Sequence, residues 1–191
     1  MRSARLLLPL LLTVLAAGCA TVPMPYPSCV AIGPAGSACP LPPQALPAVA
    51  ARHVVTITHD GQSQTFLGRL NVDQQALRLA GASLFGTHLF TITWDGTRVT
   101  SEPPERKLHP KLMVVMLEMA LANPDALRPR LHGMELKVEN AGDGEVRTLY
   151  EHGHLVARIE RHGDELASSR LRISIPPAGL HIRLDPLSGT P

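Results

Sequence analysis

Phe66-Leu67-Gly68-Arg69-Leu70-Asn71-Val72 is the stretch on which the fold class turns, because Phe66, Leu70 and Val72 fall on one face when residues alternate. A period of two is the mark of a strand with one face buried and one wet, the habit of antiparallel sheets. The same pattern extends in both directions. Upstream, Val54-Val55-Thr56-Ile57-Thr58 ends at an Asp60-Gly61 turn. Downstream come Leu77-Arg78-Leu79 and Phe90-Thr91-Ile92-Thr93-Trp94, then Asp95-Gly96, a hairpin signal, before Thr97 to Ser101. The carboxy half repeats it in Met134 to Glu139, Val146 to Tyr150, Leu155 to Ile159, Arg170 to Ile175 and Leu180 to Leu184. The expectation is a mainly β domain of about ten strands, arranged as an antiparallel meander or barrel.

One segment breaks the alternation. Leu108 to Ala122 is long, apolar and free of glycine, and Pro110 suits a first helical turn. At about 100° per residue, Lys107, Lys111 and Glu118 fall in a stripe roughly 40° wide. Met113, Met116 and Met119 lie opposite, flanked by Leu112 and Ala120. Asn123-Pro124 caps a second short helix through Leu127. So apolar a helix needs a sheet on one side and further apolar material on the other. The methionine stripe has two readings: core filling, or the flexible, polarizable lining of a hydrophobic binding site.

The amino terminus is an address. Arg2 and Arg5 precede an apolar run from Leu6 to Leu15 and the small residues Ala16-Ala17-Gly18, leading into Cys19. A run of about ten apolar residues is a secretory signal, too short for the roughly 20 that span a bilayer. From Pro23 to Pro47 there are eight prolines in 25 residues, which forbids helix or central strand and predicts a semi-extended tether. The alternative is that part of it packs along the folded domain. The boundaries expected are 1–18 for the signal peptide, 19–51 for the modified cysteine and tether, and 52–191 for the β domain. Setting Cys19 aside leaves Cys29 and Cys39, a pair suited to a disulfide in an oxidising compartment, with two free thiols as the alternative.

Composition excludes several classes. Lys and Arg total 18 against 16 Asp and Glu, and Arg2 and Arg5 leave with the signal, so the mature chain is neutral. Neutrality and 3% aromatic content argue against nucleic acid as a partner. No G-x-S-x-G, H-E-x-x-H, C-x-x-C or Walker-type loop is present, so no catalytic residue, cofactor or metal is assigned. Ser83, in a strand-to-strand connection, lacks the elbow of a hydrolase nucleophile. His152, His154, His162 and Glu151 invite a metal site, but turn histidines are usually solvated. Leu84 and Phe85, between Gly81 and Gly86, are either a protruding apolar loop or a turn folded onto the core. Arg158, Arg170, Arg172 and Arg183 alternate outward, as a solvated face or a contact with lipid headgroups.

Leu15-Ala16-Ala17-Gly18-Cys19 resembles the lipobox of bacterial lipoproteins, which implies diacylation of Cys19 and, with Ala20 following, sorting to the outer membrane. The stretches Phe66 to Leu70, Gly86 to Gly96, and Leu149-Tyr150-Glu151 to Arg158-Ile159 resemble the LolA/LolB-like lipoprotein-carrier fold. The resemblance is to a branch of small outer-membrane lipoproteins of unknown function, some encoded with genes for aryl-polyene lipids. It implies a curved antiparallel half-barrel with one or two short helices as a lid over an apolar cavity. It also implies non-enzymatic binding of lipid or lipoprotein acyl chains, and receipt of cargo from a periplasmic carrier protein. The cavity would use Leu112, Met113, Met116, Met119 and Ala120, and Leu84 and Phe85 match the acceptor's protruding loop by position. An envelope scaffold with a filled core and a protein partner is the alternative.

Overall fold

The structure is a computed structural model that describes residues 29–103, 109–163, 165 and 167–187. The signal segment, Cys19 and the first part of the tether lie outside the described residues.

Two short strands, β1 (Val30–Ala31) and β2 (Ser37–Ala38), precede the first long strand, β3 (Val49–His59). Asp60 and Gly61 follow with φ of 49° and 77°. Two successive positive φ values make the tight turn that matches strand twist, and Gly supplies the second without strain. The chain returns as β4 (Gln62–Val72) and continues through β5 (Leu77–Ala82), β6 (His88–Trp94) and β7 (Val99–Glu102), each paired antiparallel to the one before.

Helix α1 (Pro110–Leu121) and helix α2 (Pro124–Leu127) follow, then a 3-10 turn at Arg128–Arg130 and strand β8 (Leu131–His132). The second meander is β9 (Glu135–Ala141), β10 (Gly144–Glu151), β11 (His154–His162), β12 (Arg170–Ile175) and β13 (Leu180–Pro186). Pairing of β13 with β3 fuses the two meanders into one ten-stranded antiparallel sheet. Its edges are β7 and β9, which do not pair with each other, so the sheet is open. The helices lie in the connection between those edges and cover the inward face. A smaller three-stranded sheet, β1-β2-β8, stands beside it.

The alternation foreseen in the sequence fills the interior. Val55, Ile57, Phe66, Leu70, Leu79, Ile92, Ile173, Ile182 and Leu184 are buried in one cluster with Val114, Met116, Leu117 and Met119 of α1. Phe66 and Phe90 meet edge to face at 5.4 Å. A Cβ at Gly81 would come within 2.4 Å of the Phe90 ring, so a glycine opposite Phe90 makes that packing possible.

The proline-rich segment corrects the tether reading from Cys29 onward. It is a strap bound to the domain, the alternative that packing offered. Val30, Ile32, Ala38, Leu41 and Leu46 are buried, and a Cys29–Cys39 disulfide closes the loop between β1 and β2. The Ala35 N–H donates to Glu151 (2.7 Å), and the Cys39 N–H to the Arg130 carbonyl (3.0 Å). The Leu41 carbonyl accepts from Trp94 Nε1 (2.6 Å). Proline's missing donors do not hinder such a strap, because its remaining amides find partners one at a time rather than in a ladder. It supplies the apolar cover that α1 requires on its far side.

Candidate functional site

Helix α1 starts where its sequence says it should. Pro110 holds the first position, and His109 caps the turn by accepting the Leu112 N–H at Nδ1 (3.4 Å). That places Leu112, Met113 and Met116 over β3 and β13. Between them lies a cavity of about 440 Å³. Its inner wall is Ile57, Leu180, Ile182, Met113 and Met116; its rim is His59, Gln62, Gln64 and His109. Met113, Met116 and Ile182 separate it from a deeper apolar space of about 30 Å³, bordered by Val55, Phe66 and Leu184. The volume falls in the range of small-molecule sites, and the greasy wall with a few polar groups at one end is their usual chemistry.

Of the five residues assigned to ligand binding, the structure brings Leu112, Met113 and Met116 to this cavity. Met119 and Ala120 are buried in the core and do not line it. The helical stripe is therefore divided: its first two turns face the cavity, its last turn is packing. The sequence did not single out the rim residues, because Gln62 and Gln64 look like ordinary exposed hairpin positions.

Two charged side chains on the inner side were also missed. Glu118 belongs to the helix's polar stripe by periodicity, yet it is 1% exposed. The strap covers it. Glu118 Oε2 accepts the Leu41 N–H (3.0 Å), while Oε1 has no hydrogen-bond partner among the described residues. Burial pushes its pKa up to about 8, against the opposing pull of the Leu41 N–H and of Arg130, so the carboxyl is neutral at pH 7. Arg147 of β10 points inward, in phase with Leu149. Its Nη1 donates to the Met119 carbonyl (2.7 Å) and the Ala122 carbonyl (2.6 Å), and its Nε pairs with Glu145. A buried guanidinium thus satisfies the open carbonyls at the end of α1 and pins the helix to the sheet. An arginine at an inward strand position was the available signal.

The β5–β6 connection is a built projection. The Ser83 N–H donates to the Thr87 carbonyl (2.8 Å), the Gly86 N–H to the Ser83 carbonyl (2.9 Å) and the Thr87 N–H to Ser83 Oγ (3.1 Å). Phe85 is 98% exposed and Leu84 58%. This replaces the reading of a turn folded onto the core, and it gives the Ser83 hydroxyl a local capping role. The sheet register puts this loop at the same end as the β3–β4 hairpin and the β12–β13 turn, where the cavity opens.

The histidine cluster does not assemble. His154 and His162 stand at opposite ends of β11, and Glu151 is engaged with the strap. His132 of β8, remote in sequence, lies beside Cys29 and Cys39 with donor atoms within 4.8 Å, but both sulfurs are spent in the disulfide. The outward arginines are ion-paired: Arg158 with Glu160, and Arg170 and Arg183 with Asp185. Among the described residues no helix is long and apolar enough to cross a membrane.

No curated protein matches the chain. A family model described as "Protein of unknown function (DUF3261)" matches residues 50–188, the ten-stranded sheet from the second residue of β3 onward with its helices but not the strap, and the chain belongs to that family.

Proposed function

We propose that the protein is a lipid-anchored lipoprotein on the periplasmic face of the outer membrane. It shelters acyl chains of a lipid or lipoprotein cargo beneath α1 and passes them to that membrane without covalent chemistry. The observation that carries this reading is the cavity of about 440 Å³ walled by Leu112, Met113, Met116, Ile57 and Ile182. Three features support it: the signal ending in Cys19, the resemblance to LolA/LolB-like carriers, and Phe85 projecting at the end where the cavity opens. Transfer would run downhill, each Å² of apolar surface moved from water contributing about 25 cal/mol. A periplasmic carrier would deliver the cargo, and Phe85 would meet the bilayer.

Native mass spectrometry of protein taken from membranes tests the proposal. Co-purifying lipid is expected, and Met116→Asp should abolish it while the sheet still folds. A persistently empty cavity refutes the reading. One observation favours the second reading, a scaffold with a filled core and a protein partner: Met116, Met119 and Ala120 are each 1% exposed. That reading predicts a stable protein complex and no lipid.

A further inference from the structure

We infer that the cavity admits one hydrocarbon chain per protein, and that the cargo is a single-chain amphiphile whose head is held by hydrogen bonds rather than ion pairs. The inference rests on the cavity reading above and narrows it to a substrate class. Volume comes first. A methylene occupies roughly the 30 Å³ of a water molecule in the liquid. The cavity of about 440 Å³ then holds about fifteen chain carbons, enough for one ordinary acyl chain. Two chains would each be left half outside.

The walls do not yield readily. Ile57 and Ile182 are directly paired across β3 and β13, and β-branched side chains in a ladder are stiff. Leu180 is likewise fixed opposite His59. At the inner end Met113 and Met116 are the flexible side chains, and behind them lies space for about one more methylene. The methionines therefore set the chain length.

The rim decides the head. His59, Gln62, Gln64 and His109 line it, and among the described residues no Lys, Arg, Asp or Glu does. His109 Nδ1 accepts the Leu112 N–H, which leaves Nε2 to carry the ring proton and donate. The glutamine amides both donate and accept. Of the charged neighbours, Asp60 turns its carboxylate toward His59 at 3.6 Å and Lys111 has an interaction of its own. A hydroxyl- or amide-bearing head suits such a rim.

The test is saturable binding of radiolabelled monopalmitoylglycerol to the full protein in cholate, whose ring system does not mimic a chain. One ligand per protein is expected, with dipalmitoylglycerol and a triacylated lipopeptide competing at least about tenfold less well. Each methylene too many for the cavity should forfeit roughly fourfold in affinity. Met116→Ala should move the preferred chain to a longer one and Met113→Trp to a shorter one. Two chains bound, equal competition by the multi-chain lipids, or an unmoved length preference in both variants overturns the single-chain inference while leaving the cavity reading in place. Monopalmitoyl phosphatidic acid binding about tenfold tighter than the glycerol ester overturns the uncharged head. Failure of every chain-bearing probe to bind removes the cavity reading itself.

Discussion

Glu118→Gln is the most discriminating substitution for the enclosed helix. The wild-type carboxyl has its pKa raised from 4.5 to about 8 by burial beneath the strap. Between those values the unfolded chain has released the proton and the folded protein still holds it. Folding therefore takes up a proton over that window, and stability must fall as pH rises through it. The gap between those two values corresponds to about 5 kcal/mol, an upper bound for a site that can relax. Gln has nearly the same shape, keeps an oxygen for the Leu41 N–H and has no proton to lose. At about pH 5 the variant should match the wild type within about 1 kcal/mol. At about pH 9 it should be the more stable protein, by several kcal/mol. Equilibrium urea unfolding followed by fluorescence of Trp94, the single tryptophan, suits the measurement, since its Nε1 bonds the same strap residue. Parallel loss of stability in both proteins from pH 5 to 9 would refute a neutral, buried Glu118.

Arg147→Met takes the donor from the Met119 and Ala122 carbonyls and leaves Glu145 with Arg161, 3.8 Å away, in place of its close partner; it should cost about 3 kcal/mol in the same unfolding assay. Reduction of Cys29–Cys39 reopens a loop of ten residues; thermal unfolding with and without reductant should show a loss of about 3 kcal/mol, and no change would mean the strap holds without it. Phe85→Ser should leave stability within about 0.5 kcal/mol of wild type, because the ring is 98% exposed. If Phe85 enters the bilayer, the same change should weaken vesicle binding of unlipidated protein by roughly tenfold or more, measured by co-flotation.

Much of the fold was legible because alternation and turn chemistry are local. Asp60-Gly61 predicts its hairpin from two residues, and Phe66 to Val72 declares its buried face without reference to anything distant. The α1 boundary followed from Pro110 and Asn123 for the same reason. The site was less legible. Met113 and Met119 both lie on the side of α1 away from the polar stripe, about 120° apart around the axis, and what gives them different roles is the neighbour over each: β3 and β13 at the cavity for one, solid core for the other. Glu118 fell on the polar stripe, and although the helix called for a second apolar cover, periodicity does not say that this cover lies over Glu118.

The sequence by itself determined the class of the domain and the places of its two helices and of the strands of its ten-stranded sheet, since each of these is set by residues within about one turn or one hairpin of each other. Only the tertiary structure decided that residues 29–48 form a strap and that Glu118 is sealed beneath it. It also decided that Arg147 holds the end of α1, and that Gln62, Gln64 and His109 meet at one rim. Those relations join residues tens of positions apart, and their energies come from burial and from satisfying polar groups that burial isolates, which no local pattern records.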